Sequence, residues 1–277
     1  IGGLAGDSLT TGGRSVAIGY LALSTETGSD RSVAIGADAL KNQNVGSSNA
    51  YNVAVGDSAG EEITTGTTNT LIGGLAGDAI TTGTANVALG YGTLSAEDEH
   101  GHNVAIGYHA LVAQNAGSDA FNVAIGSQAG SAVTTGTLNT LIGGFTGDAL
   151  TSGSNNVAIG YAALSTEDAH GRNVAVGAYA LQDQDAGADA YNIAVGYETG
   201  KEITTGTTNT LIGGFAGDAL TTGSSNIAIG YSALSSEDTG QRSIAIGEGA
   251  LQVQNNDDNN YNIAIGHHAG QSVSTGK

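Results

Sequence analysis

Residues 103–111 read NVAIGYHAL, and near-copies stand at 156–164 (NVAIGYAAL) and 226–234 (NIAIGYSAL), with looser versions along the whole chain. A varied globular core has no use for one nonapeptide spelled repeatedly, so the stretch marks a repeat architecture. Taking the Gly of each IG, VG or LG as an anchor gives Gly2, Gly19, Gly36, Gly56, Gly73, Gly90, Gly107, Gly126, Gly143, Gly160, Gly177, Gly196, Gly213, Gly230, Gly247 and Gly266. Successive spacings are 17, 17, 20 and 17, then 17, 17, 19 and 17 twice over, then 17, 17 and 19. Sixteen units thus fall into four super-repeats of 70 residues, 71 in the first. No linker or boundary interrupts them, so residues 1–277 read as one continuous region. Because Ile1 lies inside a repeat, the sequence reads as an excerpt of a longer fibrous chain.

The columns of the repeat define its physics. Four places before the anchor stands Asn or Ser: Ser15, Ser32, Asn52, Asn69, Asn86, Asn103, Asn122, Asn139, Asn156, Asn173, Asn192, Asn209, Asn226, Ser243 and Asn262. A short β-branched run follows, closed by the anchor glycine. That is a strand signal, with no helical spacing anywhere. Seventeen residues accommodate two short strands and two turns. If each unit is one coil of a parallel β-solenoid, identical columns stack at roughly 4.8 Å, and sixteen coils make a rod of about 75 Å. The Asn and Ser column then becomes a side-chain ladder. The anchor glycines mark turns that need positive φ or close backbone approach.

Alternate residues of a strand face opposite ways. Val104 and Ile106 therefore share one face and Ala105 the other, and both faces are apolar. A strand of that kind is covered on both sides. The expectation is that Val and Ile fill a thin coil interior. The Ala face would then be covered by further copies of the chain around a common axis, giving a homotrimer.

Composition excludes several functions. The chain has 46 Gly and no Pro, Cys, Met or Trp, so it holds neither disulfides nor thiolate metal sites. Its net charge of −19 repels phosphate backbones and anionic lipid, arguing against nucleic acid and membrane as partners.

The SVAIG of 15–19 and 32–36, with NVAIG and NIAIG elsewhere, resembles the head repeats of YadA-like trimeric autotransporter adhesins. NVAIGYHAL also resembles the NTAIGYQAL-type repeats of phage tail fibres. The NTLIGG–AGDA–TTG pattern at 69–83, 139–153 and 209–223 is similar to marine phage fibres. The resemblance implies a trimeric, left-handed parallel β-roll at a virion or bacterial surface, hence extracellular. Its role would be to space and present a host-attachment tip or, in the adhesin alternative, to bind glycan or matrix. A monomeric left-handed hexapeptide helix is the competing fold, since IGYHAL (106–111) fits that pattern once per unit.

No catalytic, cofactor-binding or metal-ligating residue is assigned. His100 and His102 in DEHGHN are two apart, a spacing able to hold an ion. The sister loops DAHGRN (168–173) and DTGQRS (238–243) keep one His and none, which reads as a solvated loop. The acidic loops STETGSD (24–30), SAEDEH (95–100), STEDAH (165–170) and SSEDTG (235–240) read the same way, not as the unique concave pair a glycosidase needs. Calcium is the one ion entertained, at DAGADAYN (185–192) and NNDDNNYN (255–262). The threonines of TTGTTNT (64–70 and 204–210) suggest an ice-binding face, but the array is broken by other loops. Tyr20, Tyr91, Tyr161 and Tyr231 after the anchors, with Tyr51, Phe121, Tyr191 and Tyr261 before the Asn, are candidate sugar-stacking rings.

Overall fold

The computed structural model describes residues 1–257 and 259–276. The chain is all-β, fifteen parallel strands forming a β-solenoid, and falls into two compact units, Ile1–Leu138 and Asn139–Lys277. The first holds β1 (Val16–Ile18) to β7 (Val123–Ile125), the second β8 (Thr140–Ile142) to β15 (Ile263–Ile265). Within each unit the strands pair in parallel and in chain order. Equivalent columns lie opposite one another, as in Val16 with Val33 and Ile227 with Ile244. Each coil has one three-residue strand rather than the two expected, and turns supply the rest.

The two faces of the strand are the reverse of the expectation. Ala34, Ala54, Ala88 and Ala105, at the centres of their strands, are fully buried inside the coil. The flanking Val, Ile and Leu point outward and are half-buried or exposed, as at Val16 (42% exposed) and Leu89 (41%). Space explains the reversal. The interior must also hold residues three, four and seven places after the anchor, such as Ala39, Leu40 and Gln43, all fully buried. A β-branched side chain from the strand would overfill it.

Volume is balanced from coil to coil. Where Leu stands four places after the anchor (Leu40, Leu111, Leu181), Gln stands at seven (Gln43, Gln114, Gln184). Where Gly replaces that Leu, an aliphatic takes the later position, as in Gly60 with Ile63 and Gly77 with Ile80. A methyl group on Gly60 would lie 2.7 Å from Leu71 Cδ1, and one on Gly77 would lie 2.8 Å from Leu71 Cδ2. These two glycines therefore admit the larger Leu71 where other strands carry Ala.

The anchors behave as anticipated. Gly19, Gly36, Gly56, Gly73, Gly90, Gly107, Gly126, Gly143, Gly160, Gly177, Gly196, Gly213, Gly230, Gly247 and Gly266 all have φ between 128° and 148°. At Gly36 a Cβ would also collide with the carbonyl of Gly56 in the next coil, so both conformation and contact require glycine there.

Candidate functional site

The polar ladder runs inside the coil, beside the buried Ala column. Its chemistry differs from the amide-to-amide chain expected. Each Asn Oδ1 accepts the backbone N–H of the next ladder residue, as in Asn69 N to Asn52 Oδ1 (2.9 Å) and Asn209 N to Asn192 Oδ1 (2.9 Å). Except at Asn103 and Asn173, Nδ2 donates to a carbonyl fourteen residues on, as from Asn69 to Gly83 (2.9 Å) and Asn139 to Gly153 (2.8 Å). Amide-to-amide bonds also occur, from Asn69 Nδ2 to Asn52 Oδ1 at 3.3 Å along the ladder and from Asn52 Nδ2 to Gln43 Oε1 at 2.8 Å beside it. The ladder therefore satisfies buried backbone groups that turns leave open.

Beside it lie four carboxylates not anticipated as interior groups. Glu26, Glu97, Glu167 and Glu237, one in each acidic loop, are fully buried. The signal was present in the columns. They stand seven places after the anchor, where other coils carry Ile63, Ile80 or Leu220, so the position points inward.

The four environments form two classes. Glu26 Oε1 accepts from the backbone N–H of Thr27 (3.0 Å), Gly28 (3.1 Å) and Ser29 (2.9 Å). Its Oε2 accepts from Gln43 Nε2 (3.1 Å) and Val45 N (3.2 Å). Burial alone would raise its pKa, but the bonds from Ser29, Gly28 and Gln43 outweigh it and hold the carboxyl below its ordinary 4.5. The Glu237 carboxylate is likewise ringed by donors, accepting from Gly240 N, Gln254 Nε2 and Asn260 Nδ2, each at 2.8 Å. In both places the glutamine also donates to a ladder serine, Gln43 to Ser32 (3.0 Å) and Gln254 to Ser243 (2.8 Å).

The middle copies differ. Glu97 and Glu167 each accept one backbone bond on Oε1, from His100 N and His170 N at 3.1 Å, and Oε2 has no partner. The glutamines have turned to the following coil, Gln114 Nε2 donating to Thr134 O (3.2 Å) and Gln184 Nε2 to Thr204 O (3.0 Å). The ladder residue here is Asn103 or Asn173, whose Nδ2 is also unpaired. Burial dominates and raises both carboxyls above their ordinary range.

The histidines separate accordingly. His100 Nδ1 lies 3.7 Å from Glu97 Oε1, and His170 Nδ1 lies 3.4 Å from Glu167 Oε1. These two belong to the buried cluster rather than to a solvated loop. His102 does not join them. It stacks on Phe121 with centroids 4.9 Å apart, where sister copies place Arg31, Arg172 and Arg242 over Tyr51, Tyr191 and Tyr261. Glu248, His267 and His268 also converge, fully on the surface.

For the calcium expectation at 185–192, Asp185 approaches Glu167, Asp168 and His170. Asp189 instead accepts from Gly171 N (3.1 Å) and pairs with Arg172. At 255–262, Asp258 lies outside the described residues. Asp257 accepts from Thr239 Oγ1 (3.0 Å), and Asn260 serves Glu237. Hydroxyls of the Thr column bond from coil to coil along the stack, Thr64 donating to Thr81 O (3.2 Å) and Thr221 to Asp238 O (3.1 Å).

On the outside, Phe145, Tyr161, Tyr179, Tyr197, Phe215 and Tyr231 form an edge-to-face ladder in the second unit, with centroids 5.4–6.2 Å apart. In the first unit Asp38, Asp57 and Leu75 occupy equivalent places, and the rings that stack are Tyr91, Tyr108 and His109. No cavity opens among the described residues, and none of their helices is long and apolar enough to cross a membrane. No family model, curated protein or solved structure matches the chain.

Proposed function

We propose that this chain is a structural element of an extracellular appendage, the shaft of a phage tail fibre or a similar virion fibre. It would be built from three identical copies and would space a host-attachment tip without catalysing a reaction. The observation that carries the reading is the outward Val/Ile stripe. Two aliphatic side chains per strand, or one beside Thr70, Thr140 and Thr210 in every fourth coil, stand half-exposed in register on an uncharged face. Covering each contributes on the order of 0.5–1 kcal/mol, a fraction of the value for burying a whole side chain. Seven strands in the first unit or eight in the second then supply on the order of 10 kcal/mol per unit, comparable with the cost of association. The apolar surface that needs a partner is thus the Val/Ile column, not the Ala column.

Light scattering on the intact chain tests this. The expected molar mass is three times 27.1 kDa, and Ile35→Glu with Ile106→Glu should reduce it to one chain. A monomeric wild type would overturn the assembly. Turnover of a bacterial polysaccharide, abolished by substitutions in the acidic loops, would overturn the non-enzymatic reading.

The aromatic ladder of the second unit favours a second reading, a head region that binds glycan along its side. Tyr161 and Tyr197 are 51% and 49% exposed and offer ring surface. Binding on a glycan array that Tyr161→Ala and Tyr197→Ala remove would select it over the spacer.

A further inference from the structure

The third acidic loop assembles a donor set that the first and last do not. Ligand atoms of Glu167, Asp168, His170 and Asp185 all lie within 4.8 Å of one another. Glu167 is fully buried with Oε2 unpartnered, and Nδ1 of His170 is likewise buried without a hydrogen bond. The 3.4 Å between His170 Nδ1 and Glu167 Oε1 is long for a hydrogen bond. It is close to the roughly 3.3 Å that separates two ligands on a tetrahedral ion with bonds of about 2.0–2.1 Å.

Internal comparison sharpens the point. In the first and fourth copies Ser29 and Gly240 replace the histidine, and glutamine holds the carboxylate at 3.1 and 2.8 Å. In the third copy the histidine is present and Gln184 has swung to Thr204, leaving the carboxylate available. The second copy keeps Glu97, Asp98 and His100 together, but Asn115 stands where the third has Asp185.

We propose that Glu167, His170 and Asp185, with Asp168 at the rim, form a binding site for a first-row divalent cation of the zinc, cobalt or manganese type. One imidazole with carboxylates is a donor set these ions accept. The second copy is an incomplete version of the same site. The first and fourth copies, having no histidine, do not bind.

Zinc titration of the EDTA-stripped chain by calorimetry, with cobalt absorption as a second readout, tests the assignment. The wild type should take up one tight equivalent per chain. His170→Ala should abolish it. The isosteric Glu167→Gln should do so as well, with the far-ultraviolet circular dichroism unchanged. Asn115→Asp, an exposed substitution, should create a second tight equivalent by completing the Glu97–His100 set. No saturable uptake by the wild type, or uptake that His170→Ala and Glu167→Gln leave intact, would overturn the site. Failure of Asn115→Asp to add an equivalent would overturn the role of Asp185.

Discussion

Glu26 and Glu97 occupy the same place in sister coils, yet one sits among five donors and the other has a single backbone N–H. The difference begins with the ladder residue two columns away. Ser32 is short and lets Gln43 reach both it and Glu26. Asn103 is longer, the glutamine turns to Thr134, and two polar atoms are left unpaired. A buried charge in a solenoid is therefore controlled by its column neighbours, more than by its own loop.

The largest effect should come from removing charge at the two sites under EDTA. Glu26→Gln replaces an acceptor with an amide whose N–H₂ faces donors. It should lower stability by about 2 kcal/mol, read from the urea midpoint. Glu97→Gln removes a charge that burial disfavours and should leave stability unchanged or raise it by up to about 1 kcal/mol. Equal losses at both positions would break the contrast. Next comes the ladder itself. Asn103→Ser removes an unpaired buried donor but also the acceptor of the Asn122 N–H, so the two effects oppose and stability should change by no more than about 1 kcal/mol. Ser32→Asn should lower it by a similar amount.

Acidity separates the classes as well. The fold lowers the pKa of Glu26, so its contribution is present above the ordinary 4.5 and lost as pH falls below it. Asp218 is opposite. Burial, with Glu202 and Glu198 nearby, pushes it from 3.8 up to about 6. The folded chain holds that proton more tightly, so this contribution is present at low pH and lost as pH rises through about 6. Asp218→Asn should flatten the stability profile between pH 4 and 6 and raise the midpoint at pH 7, whereas Glu26→Gln should flatten the acid limb. The smallest effect should be His102→Arg, within about 0.5 kcal/mol, because Arg fills the equivalent place over Tyr51, Tyr191 and Tyr261.

The sequence announced the coil, the register, the anchor glycines and the ladder column, because each recurs at fixed spacing and has one physical use. It did not announce which face of the strand is internal. With Val104 and Ile106 on one side and Ala105 on the other, both faces are apolar, and alternation alone carries no sign. Only the bulk of Leu40, Leu94 or Leu111, arriving from elsewhere in the coil, decides it. The buried glutamates were obscured by the polar Asp, Ser and Thr beside them in the same loops. They emerge when Glu97 is aligned with Ile80 in the preceding unit. The partnership of His170 with Glu167 was hidden for a related reason, since attention to His100 and His102 joined residues that share a loop but serve different columns.

The interlocking of Gly60 and Gly77 with Leu71 constrains how such a chain can change in size. A single coil cut out would set a leucine against a neighbour that offers no recess, or leave a recess with nothing to occupy it. Lengthening and shortening by recombination should therefore proceed in steps of four coils, each copy arriving with its matching shapes already beside it. On this view the seventy-residue block is the inherited brick, and the seventeen-residue coil is only its course of mortar.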